Sequence, residues 1–102
     1  MSLRDQQSKF VKAVGFLIVY AYSLGYELSF GDTYPGKHRH RHSKDSWHHK
    51  GLAIDINLFK DDFYLTSTEH HYPLGIYWKS LGGTWGGDFS NPDGNHYSWG
   101  EE

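Results

Sequence analysis

The sequence predicts a single α+β domain, with helices packed on one face of a small antiparallel sheet and a functional site on the other. Three observations carry this. Apolar residues recur at helical spacing from Phe10 to Leu24, they alternate at strand spacing from Leu52 to Leu58, and a turn at Lys60-Asp61-Asp62 lets the chain return as a hairpin. At 102 residues the chain spans one domain, 1–102, with a modest core and no repeats or linkers.

In chain order, Ser2 and Asp5 form a capping-box variant that opens a helix over 3–24. Phe10, Val14, Leu17, Ala21 and Leu24 give its inner face, Ile18 and Val19 broaden it, and Gly25 stops it. Tyr26 to Phe30 reads as a short strand ended by Gly31-Asp32. Thr33 to Asp45 is polar, basic and rich in histidine, so it cannot pack a core and reads as a loop. In the strand from Leu52 to Leu58, Leu52, Ile54, Ile56 and Leu58 take one side and Ala53, Asp55 and Asn57 the other. Phe63 to Leu65 forms the return strand. Ser67 or Thr68 caps a second helix running to about Leu81, with Pro73 early in it and Gly82-Gly83 at its end. Leu74, Tyr77, Trp78 and Leu81 form its apolar face, and His70 and His71 read as surface residues. After a turn at Asn91-Pro92-Asp93-Gly94, a last strand places His96 and Ser98 toward the site, and Tyr97 and Trp99 toward the core.

Composition narrows the function. A net charge of -2 exerts no broad pull on nucleic acid or anionic membrane, so neither is an expected partner. The apolar run Gly15 to Tyr22 is far shorter than the roughly 20 residues of a membrane span. No basic segment with an apolar run and a cleavage site opens the chain, so synthesis in the cytoplasm without a signal peptide is expected. With no cysteine, any metal must sit on His, Asp or Glu.

An aspartate in the middle of a half-buried strand needs a reason. Asp55 stands beside the small Ala53, His48 lies upstream, and Gly51 between them lets the backbone turn sharply. An imidazole and a carboxylate brought together are two of the three protein ligands of a catalytic zinc, and Asp93-Gly94-Asn95-His96 offers a source for the third. Taken singly, Asp55 is a turn-facing polar residue and His48 a surface histidine. The constellation favours a metal site.

Ser46-x-His48-x-x-Gly51-x-Ala53-x-Asp55, followed by Asp93-x-x-His96, resembles the zinc peptidases that include D-alanyl-D-alanine carboxypeptidases and phage L-alanyl-D-glutamate endolysins. The hedgehog signalling domain shares their fold. Trp85-Gly86-Gly87 adds to the resemblance. It implies zinc on His48, Asp55 and His96, with Asp93 as the base and Ser46 close to the substrate. Related enzymes place an arginine shortly after the tyrosine of the polar loop, but here Tyr34 is followed by Pro35. Arg39 or Arg41 is then the candidate for a substrate carboxylate, since a guanidinium suits such a group. The same loop also reads as a solvated connector, or as an accessory metal site on His38, His40 and His42. Asp88 reads as a loop aspartate facing water, with support of a ligand histidine as the second choice.

The resemblance implies a monomeric zinc peptidase that hydrolyses an amide bond of the peptidoglycan stem peptide. The L-Ala–D-Glu bond is favoured over the terminal D-Ala–D-Ala bond. A phage-type lysis enzyme reaching the cell wall through a separate release factor fits these features. A non-catalytic, zinc-stabilised binding domain of the same fold is the alternative.

Overall fold

The computed structural model describes residues 2–31 and 47–101. Ser46, Arg39, Arg41 and the histidines at 38, 40 and 42 therefore lie outside the described residues. Helix α1 spans Leu3–Ser23 and opens on the expected capping box, with Asp5 N–H donating to Ser2 Oγ at 3.1 Å. Strand β1 is Glu27–Phe30, β2 is Ala53–Lys60 and β3 is Phe63–Leu65. A 3-10 turn at Thr68–His71 leads into helix α2, Tyr72–Ser80, and then β4 at Thr84–Trp85. A second 3-10 turn, Gly86–Asp88, precedes β5 at His96–Ser98.

The sheet runs β1-β2-β5-β4, with β3 also paired to β2, and every pairing is antiparallel. Strand β2 is the axis of this arrangement. Ile56 opposes Phe30 on β1, Lys60 opposes Phe63 on β3, and Asp55 opposes His96 on β5.

Both helices cover one face of the sheet. Phe10, Ala13, Val14, Leu17 and Ala21 of α1 and Leu74 and Trp78 of α2 pack with Leu52, Ile56, Leu58, Trp85 and Tyr97. Trp78 joins the layers twice over. Its ring meets Phe10, Tyr97 and Trp99 edge-on, and its Nε1–H is shared between Thr84 O at 3.0 Å and Ser98 O at 2.9 Å. A buried indole with its N–H satisfied contributes both area and direction to so short a chain.

Three expectations change. Val19 is 70% exposed and Leu24 39% exposed, because the helix meets the sheet along a narrower stripe than its apolar content suggests. The predicted single helix up to Leu81 divides into a 3-10 turn and α2, with Pro73 in the first turn of α2. That 3-10 turn rotates His71 inward, so it is buried rather than on the surface. Its Nδ1 lies 2.7 Å from the Tyr97 hydroxyl. Among the described residues no helix is long and apolar enough to cross a membrane.

Candidate metal centre

The open face of β2 carries Ala53, Asp55 and Asn57, all half-buried. Asp55 and His96 are brought together by the β2–β5 ladder, in which they are direct partners. Their neighbours Ile54 and Tyr97, also paired, point to the core instead. His48 arrives from the turn before β2. Gly51 in that turn has φ +71, a left-handed conformation that costs glycine little, and its N–H closes the turn on His48 O at 3.1 Å. The side chain of His48 is thereby returned over Asp55.

His48 Nε2 stands 3.4 Å from Asp55 Oδ1, and His96 Nδ1 stands 3.6 Å from the same oxygen. One ligand atom from each of the three residues lies within 4.8 Å of the others. Asp55 Oδ1 is buried and has no hydrogen-bond partner among the described residues. Burying an unpaired carboxylate oxygen is costly, which singles this atom out. Donors held about 2.0–2.1 Å from a tetrahedral ion lie roughly 3.3 Å apart. The two spacings to Asp55 Oδ1 are thus long for hydrogen bonds and close to the edge of a metal tetrahedron. Two imidazoles and a carboxylate are also a donor set that zinc accepts. The residues fit the ion.

Electrostatics agree. Burial pushes the Asp55 carboxyl up, but the imidazoles of His48 and His96 close to it outweigh burial and hold the group well below the usual carboxylate range. His96 is displaced the other way. Burial favours its neutral form, yet Asp55 and Glu101 together raise its pKa above the ordinary histidine value.

Asp93 sits at the rim, exposed. Its turn is tied down on several sides. Asp93 N–H donates to Gly86 O at 2.9 Å, Gly94 N–H donates to Thr68 Oγ1 at 3.1 Å, and Trp85 Nε1–H donates to Gly94 O at 2.8 Å. A side chain at Gly86 would run into Asp93 O and His96 Cβ, which gives the Trp85-Gly86-Gly87 stretch its physical reason. Partial burial, then the negative charge of Asp55, raise the pKa of Asp93. A cavity of about 190 Å³ opens beside Asp93, with Asn57, Tyr64, Thr66, Thr68 and His71 among its walls.

Ser98, expected toward the site, pairs with Ala53 in the same ladder as His96 and is fully buried. Asp88 is half exposed and forms an ion pair with Lys79 at 2.8 Å, so it does not support a ligand histidine. Glu101 occupies that position, with Oε1 2.7 Å from His96 Nε2. Neither Glu101 nor the buried His71 carries a periodicity or motif that would have marked it in the sequence.

The sequence profile described as D-alanyl-D-alanine carboxypeptidase matches residues 39–99, more than half of the chain. The chain belongs to this family. Membership of this family makes the chain a peptidase. Among solved structures, the chain is similar to the Serratia marcescens L-Ala D-Glu endopeptidase ChiX. The two share 19% identity and a TM-score of 0.66, over 95% of this chain and 82% of the other. At that identity the likeness establishes the α+β fold. No curated protein matches the chain.

Proposed function

We propose that this family member is a zinc-dependent peptidoglycan peptidase that cleaves the L-Ala–D-Glu bond of the stem peptide, and that it acts on the bacterial cell wall. The observation that carries the reading is the convergence of His48 and His96 on one buried Asp55 oxygen that has no hydrogen bond among the described residues, with Asp93 at the rim. His48, Asp55 and His96 would hold the ion. Zinc bound there would lower the pKa of a water molecule toward about 7 and polarise the scissile carbonyl.

The remaining work falls to the chain itself. Asp93 takes the proton from the attacking water and passes it to the leaving amine. Its raised pKa suits a group that must both accept and return a proton. The polar cavity beside Asp93 carries the amide of Asn57 and the hydroxyls of Tyr64, Thr66 and Thr68, groups suited to a peptide backbone. Ser46 and either Arg39 or Arg41 are assigned to the substrate, the arginine to a stem-peptide carboxylate. The choice of bond is supported by the likeness to ChiX, an L-Ala D-Glu endopeptidase. A zinc-stabilised binding domain would need the three ligands but would have no use for Asp93.

Metal analysis of the purified chain, joined to mass spectrometry of peptidoglycan digested with it, tests this reading. One zinc per chain and fragments ending in L-Ala are expected. Release of D-alanine alone would move the assignment to a carboxypeptidase, and a zinc-loaded chain that cuts no peptide bond would leave only the binding domain.

A further inference from the structure

Glu101 lies beyond the last strand, yet its carboxylate meets His96. Glu101 Oε1 is 2.7 Å from His96 Nε2, and its side chain is 25% exposed. The backbone is arranged for this contact. Trp47 Nε1–H donates to Trp99 O at 2.8 Å and fixes the end of the strand. Gly100, at φ +83, then turns the chain back, and Thr84 Oγ1 donates to Glu101 O at 2.6 Å.

The two nitrogens of an imidazole point to different sides of the ring, and in the neutral form one donates while the other accepts. An ionised carboxylate only accepts, so against Glu101 Oε1 the Nε2 of His96 is the donor. In the neutral ring that leaves the lone pair on Nδ1, the nitrogen facing Asp55 Oδ1 at 3.6 Å. Glu101 is itself outside the group of His48, Asp55 and His96, so it acts through His96 and not as a further ligand.

We propose that Glu101 is a positioning residue, which holds the His96 ring with its proton on Nε2 and so presents Nδ1 to the metal centre. This rests on the reading of His48, Asp55 and His96 as that centre, although the tautomer itself can be read without an ion. Outer partners of this kind orient a ligand histidine and set its availability.

The test uses the full chain, with Zn2+ as the probe. Nitrogen-15 correlation of the histidine rings, in zinc-loaded protein and in chelated protein at a pH high enough for the His96 ring to be neutral, should place the His96 proton on Nε2 in both. Glu101→Ala should weaken zinc binding by about 10- to 100-fold in chelator competition. Glu101→Gln, whose carbonyl still accepts from Nε2–H, should recover much of that loss. Thr84→Val, which loosens Glu101 without removing it, should cause a smaller loss in the same direction. The melting temperature of the chelated variants should stay close to the parent's, separating positioning from folding. A proton on Nδ1, or unchanged zinc affinity in Glu101→Ala, would overturn the proposal. A parent that holds the Nε2 tautomer but binds no zinc would support the role of Glu101 and remove the metal reading instead.

Discussion

Asp55 and His96 are direct partners across two antiparallel strands, and the oxygen and nitrogen they present stop 3.6 Å apart, short of an ordinary hydrogen bond. The strand ladder sets the two backbones opposite each other, and the side-chain torsions then bring the oxygen and nitrogen to this distance. The same ladder supplies two of the three candidate metal donors.

The first prediction follows from that pairing. The parent chain should bind one zinc, and His96→Ala should lose most of it, since only His48 and Asp55 would remain. Affinity should also fall as pH is lowered, because histidines must shed their protons to bind. Zinc content after dialysis against a weak chelator checks both points. A full equivalent retained by His96→Ala would remove His96 from the site.

Asp93→Asn keeps the size and turn-forming character of the residue while removing its ability to accept a proton. Activity on purified peptidoglycan should drop by about 10²–10⁴-fold, with zinc content and melting temperature close to the parent's. Loss of zinc together with activity would make Asp93 a ligand or a structural residue. Unchanged hydrolysis would end its assignment as the base.

The arginine assignment predicts a different kinetic signature. An Arg39→Ala, Arg41→Ala double variant should mainly raise KM, because a carboxylate contact distant from the reacting bond is made alike in ground and transition states. Steady-state kinetics on a soluble stem peptide read this directly. Unaltered kcat and KM would make the loop a solvated connector.

His71 gives a prediction about stability. Burial, and then the nearby charge of His70, lower its pKa from 6.5 to about 4. Between those values the unfolded chain binds a proton that the native chain excludes, so stability is full above pH 6.5 and is lost as pH falls toward 4. For this nearly fully buried ring, the displacement corresponds to roughly 3 kcal/mol. Urea unfolding of chelated protein between pH 4 and 7 should show that slope. His71→Gln, which can still hydrogen-bond Tyr97, should flatten it. An equal slope in the variant would place the acid sensitivity elsewhere.

Much of this protein was determined by its sequence alone. Residue spacing specified α1, β2 and the β2–β3 hairpin, because periodicity records which side of an element meets the core. The order of His48, Gly51, Ala53, Asp55 and His96 carried a family resemblance that implies one metal site, and in the fold the three candidate ligands do lie together. Other features were decided only by tertiary structure. Val19 is as apolar as its buried neighbours, and only the crossing of α1 over the sheet leaves it in water. His71 reads as polar surface until a 3-10 turn carries it under Tyr97. Glu101 becomes the partner of His96 only because Gly100 reverses the chain and Thr84, on a neighbouring strand, catches its carbonyl. Periodicity describes an element's own faces. Which of those faces is covered, and which distant side chain completes a ligand's hydrogen bonds, depends on contacts between segments far apart in the chain.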